Sequence, residues 1–193
     1  MKTITDNIES LYEIKNSKFI TILYKINDKN NIKNILEEVK IKYPKATHYC
    51  YAYKTINEQK SSDDGEPGGT AGIPMLNVLL KEELINVLAI TVRYFGGIKL
   101  GAGGLVRAYT KSLTTALEQA KYIELIKGYL IEIKASYDEQ KDIEYKLKNI
   151  NIINKEYKEE VIYLIELPDN KLDLINNYNY KIIREDLIEK KDY

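Results

Sequence analysis

Apolar positions along the chain fall into two rhythms. Ser17 to Ile26 reads as a strand, and Ile32, Ile35, Leu36 and Val39, with Tyr43, mark a helix that Pro44 ends. Thr47 to Thr55 reads as a second strand. Pro74 suits the first turn of a helix running through Leu80. Val87 to Val92 is an unbroken apolar run, the pattern of a strand buried on both faces. After it Leu105, Ala108, Tyr109, Leu113, Ala116, Leu117 and Ala120 recur at the spacing of an amphipathic helix.

A second series follows Lys121 to Lys127, a segment expected to link two domains although no flexible composition marks it. Tyr129, Ile131, Ile133 and Ala135 alternate as a strand, and Ile143, Leu147 and Ile150 fit a helix. Ile152-Ile153 and Val161 to Ile165 fit a hairpin; Pro168-Asp169 opens a short helix through Leu172 and Ile175; Lys181 to Ile183 begins a last strand. The order βαββαβ is the ferredoxin-like pattern. The expected architecture is therefore α/β (α+β) with two domains, residues 1–124 and 125–193.

Glycine changes the picture. Nine of the ten glycines lie between Gly65 and Gly104, and glycine is kept where the main chain needs positive φ or close approach. Two glycine-rich loops result, Asp64 to Gly72 and Gly96 to Gly104, each leading into a predicted helix. Strand, glycine loop and helix together present backbone N–H groups to an anion. The second loop adds Arg93, Lys99, Arg107 and Lys111, with no acidic residue between Glu83 and Glu118. Known phosphate fingerprints do not fit: Val106 stands where the dinucleotide pattern has its third glycine, and no Gly-Lys-Ser/Thr occurs.

Three constellations carry candidate chemistry. His48 and Cys50, the sole histidine and cysteine, point to one face of a strand; they read either as nucleophile and base or half a metal site, or as sheet packing. Asp63, Asp64 and Glu66 read either as Mg²⁺ ligands beside a phosphate, or as helix caps and partners of Arg93 and Arg107. Arg93, Lys99, Gly101, Gly103, Gly104 and Arg107, interleaved with Tyr94, Phe95 and Tyr109, suit unpaired bases or an ordinary core edge. No cofactor is expected, Mg²⁺ excepted.

Composition and charge narrow the classes. At 193 residues, 44% hydrophobic and 30% charged, the chain has the make-up of a globular protein. It has no apolar run long enough to span a membrane, Met1 to Asp6 shows no apolar segment of signal type so that no secretion is expected, and one cysteine makes no internal disulfide. A cytoplasmic protein is expected. The zero net charge conceals +4 over residues 1–121 and −4 over 122–193, which by itself specifies neither RNA nor DNA. Oligomeric state is not legible.

Longer stretches carry a resemblance. Ser62-Asp63-Asp64-Gly65-Glu66-Pro67, Gly69-Thr70-Ala71-Gly72 with Pro74, Val92 to Gly101, and Gly103 to Tyr109 resemble the signature of the IMPACT/YigZ family. Ser17-Lys18-Phe19 and His48-x-Cys50-x-Ala52-Tyr53 extend it, while Thr110 departs from the glycine expected there. The resemblance implies an amino-terminal domain similar to the second domain of a small-subunit ribosomal protein. It implies a carboxy-terminal domain like the last domain of a translocating elongation factor. Eukaryotic relatives regulate translation in the amino-acid-starvation response by competing for a partner protein. The expectation is a non-catalytic regulator that binds RNA, the ribosome or a translation-associated protein. The alternative is an Mg²⁺-dependent enzyme acting on a phosphorylated small molecule or nucleotide.

Overall fold

The computed structural model describes residues 1–27 and 29–191. Its elements run β1 (Lys2–Ile4), β2 (Ile8–Ile14), β3 (Ser17–Lys25), α1 (Ile32–Lys42), β4 (His48–Lys54), β5 (Gln59–Ser62), α2 (Gly72–Lys81), β6 (Val87–Tyr94) and α3 (Ala102–Leu117). They continue with β7 (Tyr122–Ala135), α4 (Gln140–Lys146), β8 (Asn151–Tyr157), β9 (Val161–Pro168), a 3₁₀ helix (Asp169–Ile175) and β10 (Asn179–Glu189). The chain divides into two compact units, Met1–Ile123 and Glu124–Tyr193. No described helix is long and apolar enough to cross a membrane.

In the first unit a five-stranded sheet has the order β2-β3-β6-β4-β5, with each neighbouring pair antiparallel. Strand β6 is central, and its apolar run is buried on both sides because helices cover both faces. Leu88, Ile90 and Val92 meet α1 through Ile32, Ile35 and Val39. Val87 and Ala89 point the other way, into a core shared with Met75, Leu79, Leu105, Tyr109 and Leu113 of α2 and α3. The alternation in β4 divides its residues by size: Tyr49, Tyr51 and Tyr53 lie on the α1 side, Cys50 and Ala52 on the α2/α3 side. Small side chains there let α2 lie close to the sheet.

The second unit realises the βαββαβ order. Its strands lie β8-β9-β7-β10, antiparallel throughout, so each crossover skips one strand. That is the ferredoxin-like arrangement. Ile131, Ile133, Tyr163 and Ile165 build its core with Ile143 and Leu147 of α4 and Ile175 of the 3₁₀ helix.

Several expectations need adjustment. The boundary between the two units falls within Lys121–Lys127, at Ile123/Glu124, but the segment is not irregular: from Tyr122 onward it is the first half of β7. Helix α3 begins at Ala102, ahead of the apolar rhythm, because Gly103 and Gly104 have no side chain to carry the pattern. Strands β2 and β5 were not expected. The first has exposed Glu9, Leu11 and Glu13 on its outer face, and the second, Gln-Lys-Ser-Ser, is a polar edge strand with no alternation to read.

Candidate functional site: a cleft at the amino terminus of helix α3

The α2/α3 face of the first sheet grades from apolar to polar along the strands. Leu23, Ala89 and Ala52 form one cross-strand row; Thr21, Thr91 and Cys50 the next; Phe19, Arg93 and His48 the last. The middle row is dry and satisfied: Thr21 Oγ1 lies 2.8 Å from Thr91 Oγ1 and 2.6 Å from Ser112 Oγ of α3. The last row opens onto the two glycine loops, so a buried arginine sits where the hydrophobic core ends.

Glu66 meets that arginine. Its Oε1 accepts from Arg93 Nη1 at 2.5 Å and from Tyr109 Oη at 2.8 Å, while Oε2 lies 3.8 Å from His48 Nε2. Both members of the ion pair are buried, Glu66 at 7% and Arg93 at 5% exposure. The Arg93 guanidinium lies between two rings, 5.3 Å from the centroid of Phe19 and 5.6 Å from that of Phe95. Phe19 in turn meets Tyr109 edge-on at 5.1 Å. One carboxylate thus joins the first glycine loop to the sheet and to α3.

The other two loop carboxylates are used differently. Asp63 Oδ1 accepts from the N–H groups of Ala71 (3.0 Å) and Gly72 (2.8 Å), and Oδ2 from Gly69 N–H (2.8 Å), closing the loop onto the start of α2. Burial alone would raise its pKa, but those three N–H donors outweigh it and hold the carboxyl below its usual range. Asp64 Oδ2 accepts from Tyr49 N–H at 2.7 Å. The acidic trio therefore does not converge, and among the described residues no group of three or more His, Cys, Asp or Glu could hold a metal ion. The cap reading fits Asp63, and the arginine-partner reading fits Glu66 with Arg93.

His48 and Cys50 share a face as expected but not a hydrogen bond. His48 Nδ1 lies 2.7 Å from the Asp64 carbonyl oxygen, which can only accept, so Nδ1 carries the proton and Nε2 is left toward Glu66. Cys50 Sγ lies 2.9 Å from the Asp63 carbonyl and 3.3 Å from Tyr109 Oη; its one proton serves either. Burial first, with the charges of Glu66, Asp64 and Asp63, pushes the thiol up to about 12. Such a thiol stays protonated and unreactive near neutral pH. Burial, reinforced by Cys50 and Glu66, likewise holds the Tyr109 phenol far above its ordinary value.

The second loop supplies the open side. Gly96 packs where a Cβ would fall 2.1 Å from the Asn16 carbonyl carbon, and its N–H donates to Ser17 Oγ. Phe95 N–H donates to Thr47 Oγ1, fixing the phenylalanine at the rim. Gly101, at φ 71°, is the N-cap of α3 and brings no capping side chain. The N–H groups of Ala102, Gly103 and Gly104 consequently have no intrahelical acceptor. Between the loops lies a cleft of ≈ 430 Å³ whose walls include Thr47, His48, Glu66, Arg93, Phe95, Lys99, Leu100, Gly101 and Ala102. Lys99 and Arg107 are exposed, but Arg107 is not part of the cleft wall. Tyr109 is fully buried and so is unavailable for stacking, and Tyr94 packs toward the α1 side; of the three aromatic candidates Phe95 alone borders the cleft. Thr47 and Leu100 carry no signal in the sequence that would have marked them.

Residues 15–117 match the model of the Impact N-terminal domain, a span that contains both loops and every residue of the cleft wall. The chain belongs to the IMPACT family. IMPACT family member YvyE of Bacillus subtilis is 39% identical over 165 residues, covering 82% of this chain and 76% of its own. YigZ of Escherichia coli is 36% identical over 167 residues, covering 83% and 82%. A crystal structure described as that of a hypothetical protein superposes with a TM-score of 0.67 at 31% identity, covering 96% of this chain and 98% of its own. The match over nearly the whole length shows that the two-unit architecture is shared.

Two outcomes follow from the buried pair and the cap. Arg93→Ala leaves Glu66 buried without its cation and is expected to cost about 3–5 kcal/mol in urea unfolding, whereas Arg93→Met with Glu66→Gln recovers most of that loss; a cost under about 1 kcal/mol for Arg93→Ala would show that the pair does not hold the loop. The depressed Asp63 pKa contributes stability above 3.8 that is lost as pH falls through the lower folded-state value. Asp63→Asn should therefore flatten the acid limb of the stability profile, and an unchanged limb would count against the cap.

Proposed function

We propose that this protein acts by binding rather than by catalysis, in translation or its stress control, through the face formed by the Asp63–Gly72 and Arg93–Arg107 loops. The observation that carries the reading is the composition of that face. An uncapped helix terminus, Lys99 and an exposed Phe95 border one cleft, and Arg107 stands exposed one turn along α3. Backbone amides and cations suit phosphates, and an exposed ring suits an unpaired base. RNA, free or within the ribosome, uses all of these groups at once, its phosphates meeting the amides and cations and an unpaired base meeting the ring. The link to translation draws on family membership, whose eukaryotic members regulate translation.

The enzymatic alternative is less favoured by the same geometry. An Mg²⁺ ion would need carboxylates that already serve Gly69, Ala71, Gly72, Tyr49 and Arg93. A cysteine nucleophile would need a thiolate that burial opposes. Arg93, inside its ion pair, is a structural cation; the groups free to meet phosphates are Lys99 and Arg107.

The test is equilibrium binding of single-stranded RNA and of ribosomes across a salt series. The logarithm of affinity should fall linearly with the logarithm of salt, and Lys99→Ala and Arg107→Ala should each reduce the slope by about 0.7–1. Binding indifferent to salt, or to both substitutions, would overturn this use of the face.

A further inference from the structure

The wall of the cleft presents two hydrogen-bond acceptors that nothing in the protein uses. Glu66 holds Arg93 and Tyr109 with Oε1 alone. Its Oε2 accepts no hydrogen bond among the described residues, yet it is not one of the side-chain atoms sealed without a partner, so it keeps surface on open space. His48 behaves in the same way. Its Nδ1–H is spent on the Asp64 carbonyl, Nε2 carries a lone pair with no donor, and that nitrogen is not sealed either. Both residues line the cleft, and the two free atoms stand 3.8 Å apart.

Charge and shape select what those acceptors take. Arg93 balances the charge of Glu66, and Lys99 stands in the same wall, so a further cation finds no net attraction. A phosphate would meet the carboxylate oxygen and the imidazole lone pair head-on. What remains is a neutral group with two adjacent donors. The cleft, at ≈ 430 Å³, has room for a nucleobase, and Phe95, 45% exposed at its rim, offers a stacking surface. The Arg93 guanidinium lies 5.6 Å from the centre of that ring while its Nη1 reaches Glu66, so one guanidinium spans the distance from the ring to the acceptors. Unpaired bases are read on their Watson–Crick edge. Guanine alone among the four carries two neighbouring donors there, N1–H and the N2 amino group. Adenine and cytosine set one amino group beside a ring-nitrogen acceptor, and uracil has a single N–H between two carbonyls.

We propose that this cleft reads an unpaired guanine, stacked on Phe95, with its N1–H and N2 amino group donating to Glu66 Oε2 and His48 Nε2. The assignment rests on the reading of this face as an RNA-binding surface and adds base selectivity to it. Glu66 is then two-sided: one oxygen closes its loop onto the core, and the other meets the ligand. The amino terminus of α3 has no part in the selection.

The experiment compares, on the full-length protein, a short oligouridine RNA carrying one guanosine with the same RNA carrying inosine, adenosine or 2′-deoxyguanosine at that position, alongside free guanosine 5′-monophosphate. Inosine lacks only the N2 amino group. The guanosine RNA should bind about tenfold tighter than the inosine form, and tighter still than the adenosine form, because an acceptor left without its donor rejects the analogue. The 2′-deoxyguanosine form should bind as the guanosine form does. Glu66 also holds its loop, so its contact is tested from the ligand side. His48→Ala, in protein whose melting temperature shows it folded, should cut the preference for guanosine over adenosine about tenfold. Equal affinity for guanosine, inosine and adenosine, or a preference undiminished by His48→Ala, overturns the guanine assignment while the RNA-binding reading stands. Loss with 2′-deoxyguanosine but not with inosine overturns the base edge in favour of a sugar hydroxyl. Binding of the free monophosphate with no binding of any RNA supports the guanine site and overturns the RNA partner. No binding of any probe overturns both readings.

Discussion

The first unit depends on one carboxylate. Glu66 lies in a glycine-rich loop that has little apolar surface of its own to bury, and a loop of that kind stays in place only if something specific holds it. Arg93 and Tyr109 do so from the central strand and from α3. Burying two charges is unfavourable unless geometry and further hydrogen bonds compensate. Here the arginine is flanked by Phe19 and Phe95, and the carboxylate has two donors on one oxygen. The pair fixes a floor beneath the cleft, and the Asp63 cap fixes the loop's return to α2. Both carboxylates therefore act on the site by shaping it.

Much of the fold was legible because the hydrophobic rhythm is strong where both faces of an element are buried or one face is. The β6 run, the α1 stripe and the alternation of β7 and β9 all appear in the sequence as they do in the structure. The elements that escaped notice are those whose position is set by partners. Strand β5 exists because β4 offers it a backbone edge, and the first turn of α3 is made of residues too small to show a pattern. Lys121–Lys127 contains the boundary between the units, but its strand character escaped notice because a strand that continues across such a boundary has no turn to announce it.

The site was legible in its location but not in its wiring. Clustered glycines and the basic loop pointed to the stretch that lines the cleft. Spacing could not tell that Asp63, Asp64 and Glu66, which are neighbours in sequence, turn to three different sets of partners. Nor could it tell that Arg93 is a buried cation while Lys99 is an open one, or that Tyr109 serves the core and Phe95 the rim. His48 and Cys50 do share one face, but only His48 reaches the cleft; Cys50 lies in the buried row behind it, and burial makes the thiol a packing group.

The claim that binds these features together is that the amino terminus of α3 and Phe95 form one ligand site. Amide chemical-shift mapping of the full-length protein with a single-stranded RNA tests it most directly. The account predicts the largest shifts at Ala102, Gly103, Gly104, Lys99 and Phe95, with the Glu124–Tyr193 unit little affected. Shifts that leave those amides unmoved while the ligand binds elsewhere would contradict it.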